Sequence, residues 1–131
     1  MSGPLQGVKI VDLTTVVMGP FATQILAELG AEVIKVEPLN GDNMRDVGPM
    51  KSPKMGHLHL HLNRGKRGIA LDLKHPRGLE IIKKLIAEAD VLIYNVRPQA
   101  MARLCFLTLA AFIGAGLLSL ISIQRFLFLM Y

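Results

Sequence analysis

Val8-Lys9-Ile10-Val11-Asp12-Leu13, the turn Thr14-Thr15-Val16-Val17-Met18-Gly19-Pro20, the segment Phe21 to Leu29, and Gly30 followed by Glu32 to Val36 together decide the fold. The first run is β-branched and short, which predicts a strand. Gly19-Pro20 predicts a break, and Phe21, Ile25 and Leu29 recur at helical spacing. Gly30 stands where a helix C-cap glycine is expected, and Val33, Ile34 and Val36 make a second apolar strand. Strand, helix and strand in that order form a β-α-β unit.

The pattern repeats further along. Pro38 to Gly56 is rich in Pro, Gly, Asn, Asp and Met without steady periodicity, which predicts a long covering loop. Gly68 to Leu73 predicts a third strand. Pro76 takes the first-turn position of a helix with Leu79, Ile82, Leu85, Ile86 and Ala89 on one face, which Asp90 ends. Val91-Leu92-Ile93-Tyr94 is a fourth apolar strand. Two such units are expected to share one parallel sheet through right-handed crossovers, so the fold class is α/β and Rossmann-like.

A length of 131 residues suits a single domain of ordinary size. The 51% hydrophobic content is uneven. From Cys105 to Ile123 there are 19 residues without a charge, followed by Gln124-Arg125 and a further apolar run to Tyr131. The expected division is therefore 1–104 for the α/β domain and 105–131 for an apolar tail that reads as a C-terminal helix or as an aberrant C-terminus. That tail is long enough to span a bilayer, and Arg97 and Arg103 before it would then hold the α/β part on the cytoplasmic side.

Fifteen Lys and Arg against ten Asp and Glu give a net charge of +5, and every acid lies before Cys105. Such a surplus suits an anionic small molecule such as a phosphorylated cofactor. No nucleic-acid partner is expected, because no binding motif and few aromatics accompany the charge. One cysteine, Cys105, excludes an internal disulfide framework. The opening Met-Ser-Gly-Pro-Leu-Gln-Gly lacks the pattern of a secretory signal. A cytoplasmic protein is expected, with membrane association through the tail as the alternative.

Three stretches could hold a phosphorylated ligand. The turn Thr14 to Pro20 follows the first strand, where open parallel sheets bind such groups, although GxGxxG is absent. Glu37 lies where a dinucleotide fold places its ribose-binding acid, and its plain reading is a solvated strand-end charge. Asn63-Arg64-Gly65-Lys66-Arg67-Gly68 sets three cations in a glycine-punctuated turn, which suits phosphate or serves as a solvated loop. Tyr94-Asn95-Val96-Arg97-Pro98 lies at the carboxyl end of the fourth strand, with Arg103 six residues beyond Arg97.

His57, His59 and His61 alternate with Leu58, Leu60 and Leu62. In an extended strand all three imidazoles would share a face. No companion ligand has a familiar spacing, so the expected role is the polar face of a half-buried edge strand, with no metal. No serine or cysteine has a nucleophile elbow, and nothing assembles a catalytic pair.

Pro4 to Thr14, Gly19-Pro-Phe-Ala-Thr, Leu29 to Pro38, Asn63 to Lys74 and Asp90 to Pro98 together resemble, in order and spacing, the family III coenzyme A transferases. This family includes formyl-CoA and carnitine-related CoA transferases and α-methylacyl-CoA racemases. The likeness covers roughly Pro4 to Leu104.

The resemblance implies a Rossmann-like domain that grips the ADP end of CoA, with CoA or acyl-CoA as substrate and no tightly bound cofactor. By matching position, Lys66 and Arg67 would face the nucleotide and its phosphates, and Asn63 would shape their turn. Asn95, Val96 and Arg97 would line the groove, Arg103 would complete it, and Val17 and Met18 would border the ligand through their backbone. Tyr94 stands where the family often has an acid, and Gln99 where it usually has glycine.

The family's catalytic aspartate, which forms mixed-anhydride and enzyme-CoA thioester intermediates, lies well downstream, and no residue here matches it. After Leu104 the family continues with a glycine and a polar helix, unlike Cys105-Phe-Leu-Thr. The expectation is a truncated CoA transferase that moves CoA between an acyl-CoA and a carboxylic acid only with a complementing chain. Family members are interlocked homodimers, an arrangement this chain alone is not expected to make. Two alternatives stand beside it: a membrane-anchored CoA- or nucleotide-binding module without catalysis, and a fragment of a dinucleotide-dependent oxidoreductase.

Overall fold

Four short apolar runs become strands and pair into one parallel sheet. In the computed structural model, which describes residues 3–96, β1 is Lys9–Leu13, α1 Met18–Glu28, β2 Glu32–Glu37, α2 His57–Leu62, β3 Arg67–Ala70, α3 Pro76–Ala87 and β4 Val91–Tyr94. The strand order is β3-β2-β1-β4. The chain thus builds outward from β1 to β3 and returns to the other side of β1. That reversal creates a switch point between β1 and β4.

Register divides the side chains between two faces. Ile10 pairs with Val33 and Val91, and Asp12 with Lys35 and Ile93, so these share one face with α1. There Ile10, Ala31, Val33 and Ile93 form a buried cluster capped by Leu26 and Ala27 of α1. On the other face, Val11 and Ile34 line a cavity with Leu85 of α3 and with Ala89 beyond its end. Ile82 of α3 and Val11 are essentially without solvent contact. Full burial of such a side chain contributes about 1.5–3 kcal/mol.

Helix α1 begins three residues before Phe21, with Gly19-Pro20 inside its first turn instead of breaking the chain. The first backbone N–H groups of a helix lack intrahelical partners, so proline loses nothing there. At its other end Gly30 N–H donates to Ala27 at 3.0 Å and Ala31 N–H to Leu26 at 3.1 Å. Gly30 adopts φ 102°, so the expected C-cap glycine is present as a Schellman motif.

Apart from Leu26, the large apolar residues of α1 do not face the sheet. Gly19, Pro20, Thr23 and Gln24 are buried, whereas Met18, Phe21, Ile25 and Leu29 are 76%, 43%, 41% and 40% exposed. A Cβ on Gly19 would lie 2.5 Å from the Thr14 Cβ. Helix and strand end approach too closely for bulk, so the small face turns inward.

Three other expectations change. β3 stops at Ala70 because Asp72 makes a local turn, accepting from Lys74 N–H at 2.9 Å. Pro76 does open α3, but Asp90 caps the start of β1, its carboxylate accepting from Lys9 N–H at 2.8 Å. His57–Leu62 is helical, not an edge strand. Residues two apart on a helix diverge by about 200°; accordingly His59 is buried while His57 and His61 are exposed. Among the described residues no group of His, Cys, Asp or Glu could hold a metal ion.

The described residues up to Asn95 belong to a compact unit Met1–Asn95, and Val96, half-buried, begins a second. The expected boundary at 104/105, the C-terminal apolar helix and the bilayer-spanning reading of 105–123 lie outside the described residues. Among the described residues no helix is long and apolar enough to cross a membrane.

Candidate functional site

The face of the sheet beneath α1 is apolar at the amino end and ionic at the carboxyl end. Beyond Ile10 and Val33 come Asp12, Thr14, Lys35 and Glu37, all buried, joined by Thr23, Asp42 and His59 from other elements. Among the described residues no buried side-chain polar atom lacks a partner. Charges buried this deeply require partners, and each has one.

Asp12, at the end of β1, accepts from Thr14 N–H at 2.8 Å, from the Thr14 hydroxyl at 2.5 Å and from the Thr23 hydroxyl at 2.6 Å. It also pairs with Lys66 at 3.1 Å. The Lys66 ammonium is 1% exposed and donates in addition to the Pro20 carbonyl at 2.8 Å and Asn63 Oδ1 at 2.9 Å. An ammonium carries three N–H groups, so its capacity is filled inside the protein. Burial pushes its pKa below the ordinary lysine value against the pull of Asp12.

The turn between β1 and α1 is held from three sides. Lys35 donates to the Thr14 carbonyl at 2.8 Å. Asn95, just past β4, accepts from Thr15 N–H at 2.9 Å and donates to the Thr15 carbonyl at 2.8 Å. Asp42 Oδ1 accepts from Val16 N–H at 3.4 Å, and its other oxygen pairs with Lys35 at 3.2 Å. Val16 sits at φ 72°, a left-handed conformation that a β-branched residue rarely adopts.

Glu37 is buried, not solvated. It accepts from Arg45 Nε at 2.8 Å and lies 3.9 Å from His59 Nε2. Arg45 belongs to a 3-10 turn, Asn43–Asp46, within the long loop. The group is therefore an anchor for that loop over the end of β2, and its carboxylate is already engaged where a ribose contact was considered. Burial first, then the Arg45 guanidinium, lowers the His59 pKa below the ordinary imidazole value, which Glu37 only partly opposes.

The residues singled out in the sequence thus separate. Val17 and Met18, at the start of α1, and Asn95, just past β4, lie on the carboxyl side of the switch point, where Asn95 bonds Thr15. Asn63 and Lys66 sit under α1, with the lysine charge turned inward. Arg67 points to the opposite face, exposed and paired with Glu32 at 2.7 Å. Val96 follows Asn95, and Arg97 and Arg103 lie outside the described residues. Sequence reasoning missed Lys35 and Asp42 in the turn's support, and Arg45 and His59 in the loop's anchor. A charged Lys35 between the apolar Ile34 and Val36 was the available signal.

Comparisons with known proteins converge. The model of CoA-transferase family III matches residues 5–108. Succinyl-CoA:glutarate CoA-transferase from Homo sapiens is 49% identical over 100 residues, covering 76% of this chain and 23% of that protein. Formyl-CoA:oxalate CoA-transferase from Escherichia coli O6:H1 is 44% identical over 112 residues, covering 81% of this chain and 26% of the relative. The crystal structure of a CAIB/BAIF family protein from Brucella suis superposes with a TM-score of 0.76 at 36% identity, covering 81% and 29% of the two chains. The chain spans about a quarter of the length of the curated relatives it matches.

Proposed function

The chain belongs to CoA-transferase family III, and from that premise we propose that its Met1–Asn95 unit is the coenzyme-binding part of an enzyme that moves CoA between an acyl-CoA and a carboxylic acid. The observation that carries this reading is the topological switch point at the carboxyl ends of β1 and β4. There the Thr14–Met18 turn is bound by Lys35 and by Asn95. Ligands of open parallel sheets bind at such switch points.

In this reading Val17, Met18 and Asn95 border the ligand, and the roles of Val96, Arg97 and Arg103 rest on the family resemblance alone. Lys66 and Asn63 hold the floor of the turn, and the lysine reaches a phosphate only by giving up an internal acceptor. Arg67 meets the nucleotide only from the other side of the sheet, so its contribution is the smaller of the two. None of the aspartates Asp12, Asp42, Asp46, Asp72 and Asp90 matches the family's nucleophile. CoA binding, and not the covalent step, is therefore the role assigned to these residues. A cytoplasmic setting belongs to the same proposal, and the family's interlocked homodimer is not expected of this chain alone.

Isothermal titration of CoA and of 3′-dephospho-CoA into the full chain tests it. Micromolar or tighter binding, weakened when the 3′-phosphate is absent, is the expected result. No heat from a chain shown to be folded would overturn the reading.

A further inference from the structure

We infer that Asn95, Lys35 and Asp42 are positioning residues that hold Val16 in its left-handed conformation and so preshape the β1–α1 turn for ligand; this rests on the coenzyme-binding reading above. Three consecutive residues of the turn have backbone groups bound by side chains from elsewhere in the chain. Lys35 takes the Thr14 carbonyl, Asn95 takes both polar groups of Thr15, and Asp42 takes the Val16 N–H. The residue so held is β-branched at φ 72° and half exposed, with Val17 and Met18 exposed after it. A strained residue persists where its surroundings over-determine it, and such strain concentrates at ligand sites.

The three side chains come from three separate places. Lys35 is within β2, Asp42 in the long loop after it, and Asn95 just past β4. The Lys35–Asp42 pair links the covering loop to the turn. Asn95 links the turn across the switch point to β4. The clamp therefore forms only when both strands flanking β1 and the covering loop are in place.

The full chain carrying Val16→Gly, Asn95→Ala or both, unfolded in urea without ligand, separates strain from ordinary packing. Asn95 is exposed, so its replacement leaves a foldable chain. Glycine also raises unfolded-state entropy, but equally in both backgrounds, so that effect cancels. Val16→Gly should be at least about fivefold more favourable to the folding equilibrium with Asn95 present than with Asn95→Ala. Effects that multiply to within about twofold would overturn the inference.

The same four proteins titrated with CoA give the second readout. Each single substitution should weaken binding roughly three- to tenfold, with the double no weaker than the poorer single, because both release one turn. Independent losses would overturn the positioning role and make Asn95 a direct contact. Failure of the unsubstituted chain to bind CoA would overturn the coenzyme reading alone, since the stability coupling is measured without ligand.

Discussion

Lys66 shows how one residue's surroundings determine its role. With three internal acceptors and almost no solvent contact, it pairs with the buried Asp12 carboxylate. Lys66→Met should therefore cost about 3–5 kcal/mol, because it leaves Asp12 charged and unpaired. Urea unfolding checks this, and a loss below about 1 kcal/mol would show Asp12 relaxing to solvent. His59 gives a pH signature of definite sign. Its folded pKa is depressed, so the unfolded state takes up the proton first as pH falls through the ordinary imidazole range of about 6.5. Stability should thus be unaffected above that range and fall below it, and His59→Gln should flatten that part of the curve.

At the scale of elements, α1 inverts the usual amphipathic rule. Gly19, Pro20 and Thr23 are buried while Met18, Phe21 and Ile25 are exposed, Leu26 packing on the core, because the closest approach is at Gly19 over Thr14. Ile25→Ser should consequently cost under about 1 kcal/mol, as surface substitutions do. Gly19→Ala should cost several times more, since its Cβ would meet the Thr14 side chain and α1 must lift away. Thermal denaturation of the two variants side by side tests the orientation of the helix, and a larger loss for Ile25→Ser would reverse it. Helix α3 follows the ordinary rule: Ile82, buried, lies on its inner face while Ile81 is exposed.

At the scale of the molecule, the charges divide into an internal set and a surface set that respond differently to salt. The pairs Lys66–Asp12 and Lys35–Asp42 are enclosed, whereas Arg67–Glu32 and Lys84–Glu80 are exposed. Salt screens exposed charges far more than buried ones. Raising ionic strength should therefore weaken CoA binding several-fold while moving the urea midpoint little. A parallel loss of both would mean that the internal network is open to solvent.

Local patterning alone was enough for the four strands, for α1 and α3, and for their order. β-branched runs, Pro76 at a helix start and Gly30 at a helix end depend on neighbours in sequence, and the two β-α-β units with the family's motifs followed from them. Tertiary structure alone decided which way α1 turns, that His57–Leu62 coils instead of extending, and that Lys66 and Arg67 part to opposite faces. It also decided that Lys35, Asp42 and Asn95 converge on one turn. The reason is physical: a periodicity states which residues share a face but not what that face meets. A buried charge is tolerated only where distant parts of the chain bring its partners to it.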